Sequence, residues 1–494
     1  MRKIVNSMII VATISMAAIH PAIAADTMSL KQIMASVLSN HPDIQISRID
    51  TAIAHTENQR IHGMLDTNIS ASIKASEEKA PVSSDFQAAE TRIGSLSGAI
   101  AKPLENGGTV SANFAYNRTS QAFNSPLAAQ LSRFNPAYRN QINLSYRHPL
   151  LKGAERPDYH NALLAADAGI KSAEWQRQLV IQQLTLQTVN AYYQLASDEI
   201  NIGIAEQAAK RAEKLLAYQR TRERFGLIEK ADRLQAEALF AARKTDLQRA
   251  LSRRLSSQNN LNRLMLKSAD AELTVEQHQS DDIQSPTLES ALALAESNRP
   301  ELQLLAAQLE ASEAQLAISR DTDNVQLDVV AELGTRALDS NGATAAARGF
   351  TIRDHYAALS LELSDVLVRN SANAAIRKAE LQRQRVLAER VSAVETIKSD
   401  LSSAITAIKA GKPTLVVARK QAQAEKRKFN AEMKRYREGR SDTATLVQFE
   451  GELRNAELNA DLQALTLQLA AHQLSWAQAT LLDELGLSNN NAEQ

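Results

Sequence analysis

The chain contains the same order of patterns twice. The heptapeptide SNHPDIQ at residues 39–45 returns as SNRPELQ at residues 297–303, and each copy lies in a helical pattern that leads into a segment of alternating polarity. A second pair of related stretches, residues 220–237 and 434–450, each carries a glycine between two helical patterns. Two half-chains with one order of elements predict internal pseudo-symmetry, which suits tubes and pores better than a pocket in one irregular core.

Composition favours long helices and excludes several functions. Only 4% of the 494 residues are aromatic, with 16 Gly and 11 Pro, and good helix formers dominate from residue 157 onward. The 56 acidic and 56 basic residues cancel, so the chain has no net attraction to nucleic acid. Because the chain has no cysteine, it forms no disulfide and carries no lipid-modified cysteine.

The N-terminus has the pattern of a signal peptide. Arg2 and Lys3 precede an apolar run at residues 8–19 and a small-x-small cleavage site at residues 22–24, so we expect export and removal of residues 1–24. The apolar run is shorter than the roughly 20 residues of a membrane-spanning helix, and no later segment comes close. If this chain crosses a membrane, it must do so with strands.

Short segments of period-two alternation predict strands whose two faces meet different surroundings. One interpretation is an antiparallel sheet resting on a soluble core. The other is a membrane barrel with lipid on the apolar face and water on the polar face, which fits an exported chain. The five clear segments are residues 68–76, 110–117, 141–147, 325–333 and 357–364, and residues 93–101 form a weaker sixth.

The remaining sequence predicts two long helical hairpins. Residues 157–225 and 228–267 form the first, whose longer arm would span roughly 100 Å at about 1.5 Å per residue. Residues 372–437 and 442–485 form the second, in which Pro413 is expected to kink or end the helix. Without the strands, the same pattern would fit an ordinary soluble coiled coil.

Taken together, these features resemble the TolC family of outer-membrane channel proteins. The resemblance covers about residues 28–487 and rests on the paired SN-x-P-[DE]-[IL]-Q elements, on the strand-to-helix passages LSYRHPLLKG and LELSDVLVRN, and on hairpin tips at Gly226 and Gly439. It implies a mainly α fold with a membrane β-barrel. Each chain of a homotrimer would contribute strands to one shared outer-membrane barrel and helices to one long periplasmic tube.

A shared barrel also follows from strand number. Four strands cannot enclose a water-filled pore, and backbone edges cannot stay unpaired in lipid, so several chains must share one barrel. With the three chains that the resemblance implies, this barrel would have twelve strands. We expect the lumen to be lined by Lys74, Asn143, Arg147, Asp328, Glu332 and Glu362. We expect the opposite face, towards lipid or neighbouring chains, to present Ile73, Leu144, Leu327 and Leu361.

The first half carries 41 more residues between its strands than the second half. This insertion includes residues 93–117, which predict a hairpin turning at Asn106-Gly107-Gly108. We expect an external or barrel-rim hairpin, since residues 93–101 alternate weakly. The alternative is six strands from each chain and an eighteen-stranded barrel.

We divide the chain by these patterns into consecutive segments. They are a signal peptide at 1–24, a first-repeat helix at 25–66, first-repeat strands at 67–150 with an inserted hairpin at 80–135, a first helical hairpin at 151–285, a second-repeat helix at 286–322, second-repeat strands at 323–368, a second helical hairpin at 369–487 and a disordered tail at 488–494.

The hairpin tips are the candidate gate. In the TolC family they form the periplasmic entrance, held closed by polar links and often ringed by acidic residues, and the resemblance implies a hydrogen bond between Asp232 and Tyr436. Thr445 and Gln448 stand where some members have aspartate, so an acidic ring is not expected. Solvated helix-end charges are the alternative. The candidate gate residues are Asp232, Tyr436, Arg440, Asp442, Thr445 and Gln448, of which Arg440 and Asp442 could form substitute ion pairs.

No constellation for catalysis, cofactor binding or metal ligation is evident. The nine histidines are scattered without an HExxH pair, and GSLSG at residues 94–98 places Leu96 where a nucleophile elbow needs serine. We therefore expect no enzyme activity and no cofactor.

The resemblance implies a passive exit channel of a multi-component efflux or type I secretion system. It would be coupled through a periplasmic adaptor protein to an inner-membrane transporter, which selects drug, metal or protein cargo. The competing class is an exported structural or adhesive coiled-coil protein without a pore.

Overall fold

The computed structural model describes residues 26–276 and 283–487. The expected signal peptide at 1–24 and the expected tail at 488–494 lie outside the described residues. Among the described helices, none combines the length and the apolar character that a membrane crossing requires.

The described elements alternate between helices and strands in chain order. They are β1 (Asp26–Met28), α1 (Leu30–Asn40), α2 (Pro42–His62), β2 (Asn68–Lys79), β3 (Ala88–Pro103), β4 (Thr109–Phe123), α3 (Pro126–Leu131), β5 (Ala137–Pro149), α4 (Pro157–Arg224), α5 (Lys230–Leu264), β6 (Leu273–Val275), α6 (Leu288–Asn298), α7 (Pro300–Asp321), β7 (Gln326–Asp339), α8 (Gly342–Gly349), β8 (His355–Ser364), α9 (Asn370–Arg437), α10 (Thr443–Ala477) and α11 (Leu481–Glu484).

The two related heptapeptides occupy the same kind of helix break. Helix α1 ends at Asn40 and α2 begins at Pro42, while α6 ends at Asn298 and α7 begins at Pro300. Proline is well suited to the first turn of a helix, because its fixed φ is helical and its missing N–H is not needed there. Each heptapeptide therefore ends one helix and starts the next.

The long helices have matched lengths in the two halves of the chain. Both α4 and α9 contain 68 residues, and both α5 and α10 contain 35. Of the two outcomes expected at Pro413, a kink or an end of the helix, the end is excluded, since α9 continues through this residue. A proline removes one helical hydrogen bond, and the buried side chains of Ile408 and Leu415 on either side keep that stretch packed.

All the long strands form one antiparallel sheet in the order β2-β3-β4-β5-β7-β8. The inserted hairpin therefore lies inside the sheet, between β2 and β5, and the expectation of a hairpin outside it is wrong. The weak alternation of β3 misled because Gly94 and Gly98 add little apolar contrast on one face, while Ser95 and Ser97 are small on the other.

Contacts divide the chain into two compact units, each assembled from distant parts of the sequence. The first comprises Met1–Pro42, Ile181–Asn298 and Lys398–Gln494, and the second comprises Asp43–Val180 and Arg299–Ile397. The first unit contains both hairpin tips and the parallel pair β1–β6. The second contains the six-stranded sheet.

Both hairpin tips end their first helix in the same way. At the first tip, the Leu227 N–H donates to the Arg222 carbonyl at 2.9 Å, around Gly226 at φ +68°. At the second tip, the Arg440 N–H donates to the Arg435 carbonyl at 2.9 Å, around Gly439 at φ +74°. This is the Schellman arrangement, in which a left-handed glycine turns the chain and satisfies the last helical carbonyls.

Candidate functional site

The six-stranded sheet has one polar and one apolar face. Residues paired directly across antiparallel strands point to the same side, and successive residues of a strand point to opposite sides. Followed through the pairings, one face carries all six expected lumen residues, Lys74, Asn143, Arg147, Asp328, Glu332 and Glu362. The other face carries Ile73, Leu144, Leu327 and Leu361.

Charged residues on the polar face form a network across three strands. Arg147 of β5 lies 2.7 Å from a carboxylate oxygen of Asp328 on β7 and 2.7 Å from one of Glu362 on β8. The Gln326 side-chain amide donates a further hydrogen bond to Asp328 at 3.0 Å. Asp328 is buried, so these bonds replace the water that its carboxylate gives up.

The apolar face forms a band that continues across every strand. Its most exposed members are Ile69, Ile73, Leu96, Ile100, Leu144, Leu333, Leu359, Leu361 and Leu363. At the end of the sheet away from the long helices, α8 covers this face, where the Asn140 side-chain amide donates to the Ala346 carbonyl at 3.0 Å. An uninterrupted apolar band of this extent requires lipid or another protein to cover it.

The two edges of the sheet are open within one chain. Among the described residues, no strand pairs with the outer edge of β2 or of β8. All but one of the residues in these two strands are exposed. Because every neighbouring pair is antiparallel, β2 and β8 run in opposite directions. A further copy of the chain can therefore pair its β2 with β8 and continue the antiparallel pattern.

A buried polar cluster joins the two hairpin tips in the first unit. The hydroxyl of Thr443, at the start of α10, donates to the Asp232 carboxylate of α5 at 2.9 Å. The Tyr436 hydroxyl lies 3.2 Å from the Thr443 oxygen. The Gln219 side-chain amide donates to Thr443 at 2.7 Å and also contacts the Tyr436 hydroxyl. Asp232 and Tyr436 are thus linked through Thr443.

Proton positions in this cluster follow from its acceptors. Thr443 has one hydroxyl proton, which it uses in the hydrogen bond to the Asp232 carboxylate, so Tyr436 acts as donor to the Thr443 oxygen. Burial raises the pKa of the Tyr436 hydroxyl above its usual value, which keeps that proton in place. The cluster has a defined chain of donors running from Tyr436 to Asp232.

The other candidate gate residues serve the second tip locally. Asp442 caps α10 by accepting the Thr445 backbone N–H at 2.7 Å, and these backbone bonds hold the pKa of its carboxyl below the usual value. Arg440 pairs with Glu438 of the same tip. The Gln448 amide donates to Glu452 at 2.8 Å along the helix.

A buried carboxylate lies on α10 about two helical turns beyond Thr443 of the tip cluster. Glu450 of α10 accepts charged hydrogen bonds from Arg243 at 2.8 Å and from Arg211 at 3.3 Å, with its side chain only 3% exposed. Arg211 also lies 3.4 Å from Glu457. These pairs connect three helices, α4, α5 and α10, near the tips.

Sequence reasoning missed Gln219 and Thr443. Gln219 continues the buried stripe of Ala212, Leu215 and Leu216 at helical spacing, and that position could have marked it as a polar residue turned inward. Thr443 follows Asp442 directly, where a helix start is expected, and no sequence signal distinguishes its buried hydroxyl from an exposed one.

Within residues 26–276 and 283–487, the structure holds no group of three or more His, Cys, Asp or Glu side chains arranged to bind a metal ion. The polar sites described above are hydrogen-bonded clusters and ion pairs that join structural elements.

No protein-family model and no curated protein matches the chain. Solved structures do match it. The CmeC outer membrane channel of Campylobacter jejuni has a TM-score of 0.66 and 14% identity, over 92% of this chain and 86% of its own. CusC has 0.67 and 13%, over 91% of each chain. The outer membrane protein VceC of Vibrio cholerae has 0.65 and 15%, over 92% and 96%.

These similarities define the class of fold. The chain has the fold of TolC-like outer-membrane channels, mainly helical with one large sheet, over about nine-tenths of its length. The resemblance inferred from the two related half-chains is confirmed at the level of fold. At 13 to 15% identity, the likeness carries the fold alone.

Proposed function

We propose that this protein is an outer-membrane exit channel. Three copies would pair their sheets edge to edge into one barrel through the outer membrane, and their long helices would form a periplasmic duct. The duct is passive, and an inner-membrane transporter with a periplasmic adaptor supplies energy and selects the cargo of an efflux or type I secretion system. The chain itself carries out no catalysis.

One observation carries this proposal: the sheet has a continuous apolar face, a charged face and two open edges. A soluble sheet would bury its apolar band on a core, and an exported coiled coil without a pore needs no such sheet. In a lipid bilayer, the apolar side chains must face outward to the lipid, and every backbone edge must be paired. Pairing between copies satisfies both requirements.

The hairpin tips supply the proposed gate. The buried cluster of Gln219, Asp232, Tyr436 and Thr443 ties α4 and α5 to α9 and α10 within each chain. Separation of the two hairpins would break these bonds together, which makes the closed arrangement cooperative. We expect weakening of this cluster to favour the open entrance.

The experiment is purification of the mature chain from outer and inner membrane fractions, followed by mass measurement in detergent and bilayer conductance. We expect a detergent-dependent trimer in the outer-membrane fraction that conducts ions. A monomer that stays soluble without detergent would refute the proposal.

A further inference from the structure

We propose that the β3–β4 hairpin is part of the pore wall, so that three chains close an eighteen-stranded barrel that admits hydrophilic cargo too bulky for twelve strands. This inference rests on the proposed trimeric channel. It concerns what the additional hairpin does within that channel.

The hairpin crosses the full height of the sheet. Every residue of β2 pairs with a residue of β3, from Asn68 opposite Ala101 to Lys79 opposite Glu90. The turn after β3 lies at the end of the sheet where the long helices begin, because a Cβ on Gly107 would lie 2.6 Å from the Gly153 carbonyl, just before α4. A loop folded outside the barrel would have no reason to extend to that end.

The hairpin also continues both faces of the wall. Leu96 pairs with Ile73 of β2, and Phe114 pairs with Ile142 of β5, so its apolar side joins the apolar band. On the polar face, Ser97 is hydrogen-bonded to Ser72 at 2.8 Å. The corresponding bond on the other side joins Ser111 to Ser145 at 2.6 Å. The hairpin is therefore integrated into the sheet on both flanks.

The polar side of the hairpin is uncharged over its middle section. It presents Ser95, Ser97, Ala99, Ser111, Asn113 and Asn117, whereas the charged lumen candidates all come from β2, β5, β7 and β8. Hydroxyl and amide groups bind solutes of either charge and uncharged solutes without strong electrostatic selection. The hairpin thus adds width and a neutral, hydrogen-bonding lining.

Strand number sets the size of the opening. Barrel diameter grows roughly linearly with the number of strands, so eighteen strands give a diameter about 1.5 times that of twelve, and barrels of 16 to 18 strands enclose an aqueous channel. The enlarged opening suits bulky hydrophilic solutes or extended polypeptides.

The first test uses single cysteines, which are clean probes because the chain has none of its own. Spin labels at Leu96 and Ser97 on β3, and at Phe114 and Asn113 on β4, are compared for collision with lipid-dissolved oxygen and with a water-soluble nickel complex. Leu361 and Ser360 on β8 are the matched control pair, since β8 is a wall strand with or without the hairpin. Trimers in vesicles are used throughout.

We expect Leu96 and Phe114 to collide preferentially with oxygen, and Ser97 and Asn113 with the nickel complex, as in the control pair. Alternation at β8 but uniform access to the nickel complex at β3 and β4 would overturn this inference and leave the channel intact. Absence of alternation at β8 as well would reject the channel and the inference together.

The second test replaces residues 82–135 by a short Gly-Ser turn that joins β2 to β5. Polyethylene glycols of graded size are added on the barrel side. The size at which polymers are excluded from that side then reports the width of the barrel and not that of the tips. We expect the largest polymer admitted by the variant to be smaller than that admitted by the unaltered channel. Equal cut-offs in stable trimers would contradict the inference, and if the variant does not assemble, the label pairs decide.

Discussion

The hydroxyl of Thr443 on α10 donates a hydrogen bond to the Asp232 carboxylate of α5 at 2.9 Å. The bond joins a residue of one hairpin tip to a residue of the other, although 211 positions separate them in the chain. Thr443 is only 2% exposed, so the bond is shielded from water. The stability of the proposed gate depends on this hydroxyl.

Replacement of Thr443 by valine keeps the shape of the side chain and removes its hydroxyl. Because Asp232 and Tyr436 lose a buried partner, we expect a loss of about 1–3 kcal/mol in unfolding free energy. If the cluster is the latch, single-channel conductance rises as well. Thr466→Val on the same helix is the control, since its exposed hydroxyl bonds only to the Leu462 carbonyl. Conductance equal in both variants would remove Thr443 from the gate.

Glu450→Gln tests the buried ion pairs between helices. The substitution takes away the negative charge that compensates Arg243 and Arg211, and we expect it to destabilise the protein by about 3 kcal/mol. Glu452→Gln is the control, because that exposed carboxylate pairs with Lys428 in water. Thermal unfolding in detergent compares the two, and similar midpoints would show that the buried pairs add little.

Alanine should destabilise the protein at the glycines of the two tips and stabilise it at a glycine inside a helix. At Gly226 and Gly439, alanine must adopt a positive φ, which costs about 1–2 kcal/mol although nothing lies within 4 Å of its Cβ. At Gly203, inside α4 and equally open, alanine should stabilise the helix by about 0.5–1 kcal/mol. Chemical unfolding of the three variants checks the signs, and a stabilising Gly439→Ala would contradict the turn geometry.

The N-cap at Asp442 predicts a pH dependence. Its folded pKa is depressed by the Thr445 backbone N–H, so its stabilising effect is present above the unfolded pKa of about 3.9 and is lost as the pH falls through the folded value. We expect Asp442→Ala to cost about 1 kcal/mol at pH 7 and progressively less below pH 4. Midpoints of thermal unfolding between pH 3 and pH 7 measure the difference. A constant difference over that range would argue against the cap.

Much of the fold was predictable because strand and helix signals are local. Alternation located most strands of the six-stranded sheet, and the glycines at Gly226 and Gly439 located both tips. The place of the hairpin was not predictable, since β3 pairs its small residues with partners that only the assembled sheet supplies. Pro413 shows the same limit for helices, because packing on both sides of it offsets the local preference to end.

The polar cluster at the hairpin tips was only half predictable for a related reason. Asp232 and Tyr436 were named from a resemblance, but their link depends on Thr443 and Gln219, whose burial arises from the packing of four helices. The polarity of a glutamine predicts an exposed side chain, and only the position of Gln219 on an apolar helical stripe indicates that it is buried. Contacts between residues more than 200 positions apart cannot be predicted from local patterns in a single sequence.

The hairpin between β2 and β5 adds two antiparallel strands, so β2 and β5 run in opposite directions with or without it. A pair of strands can therefore be gained or lost at this place without reversing any connection to a helix. The number of strands in the sheet can change in steps of one hairpin, while the helices that follow β5 and β8 keep their connections.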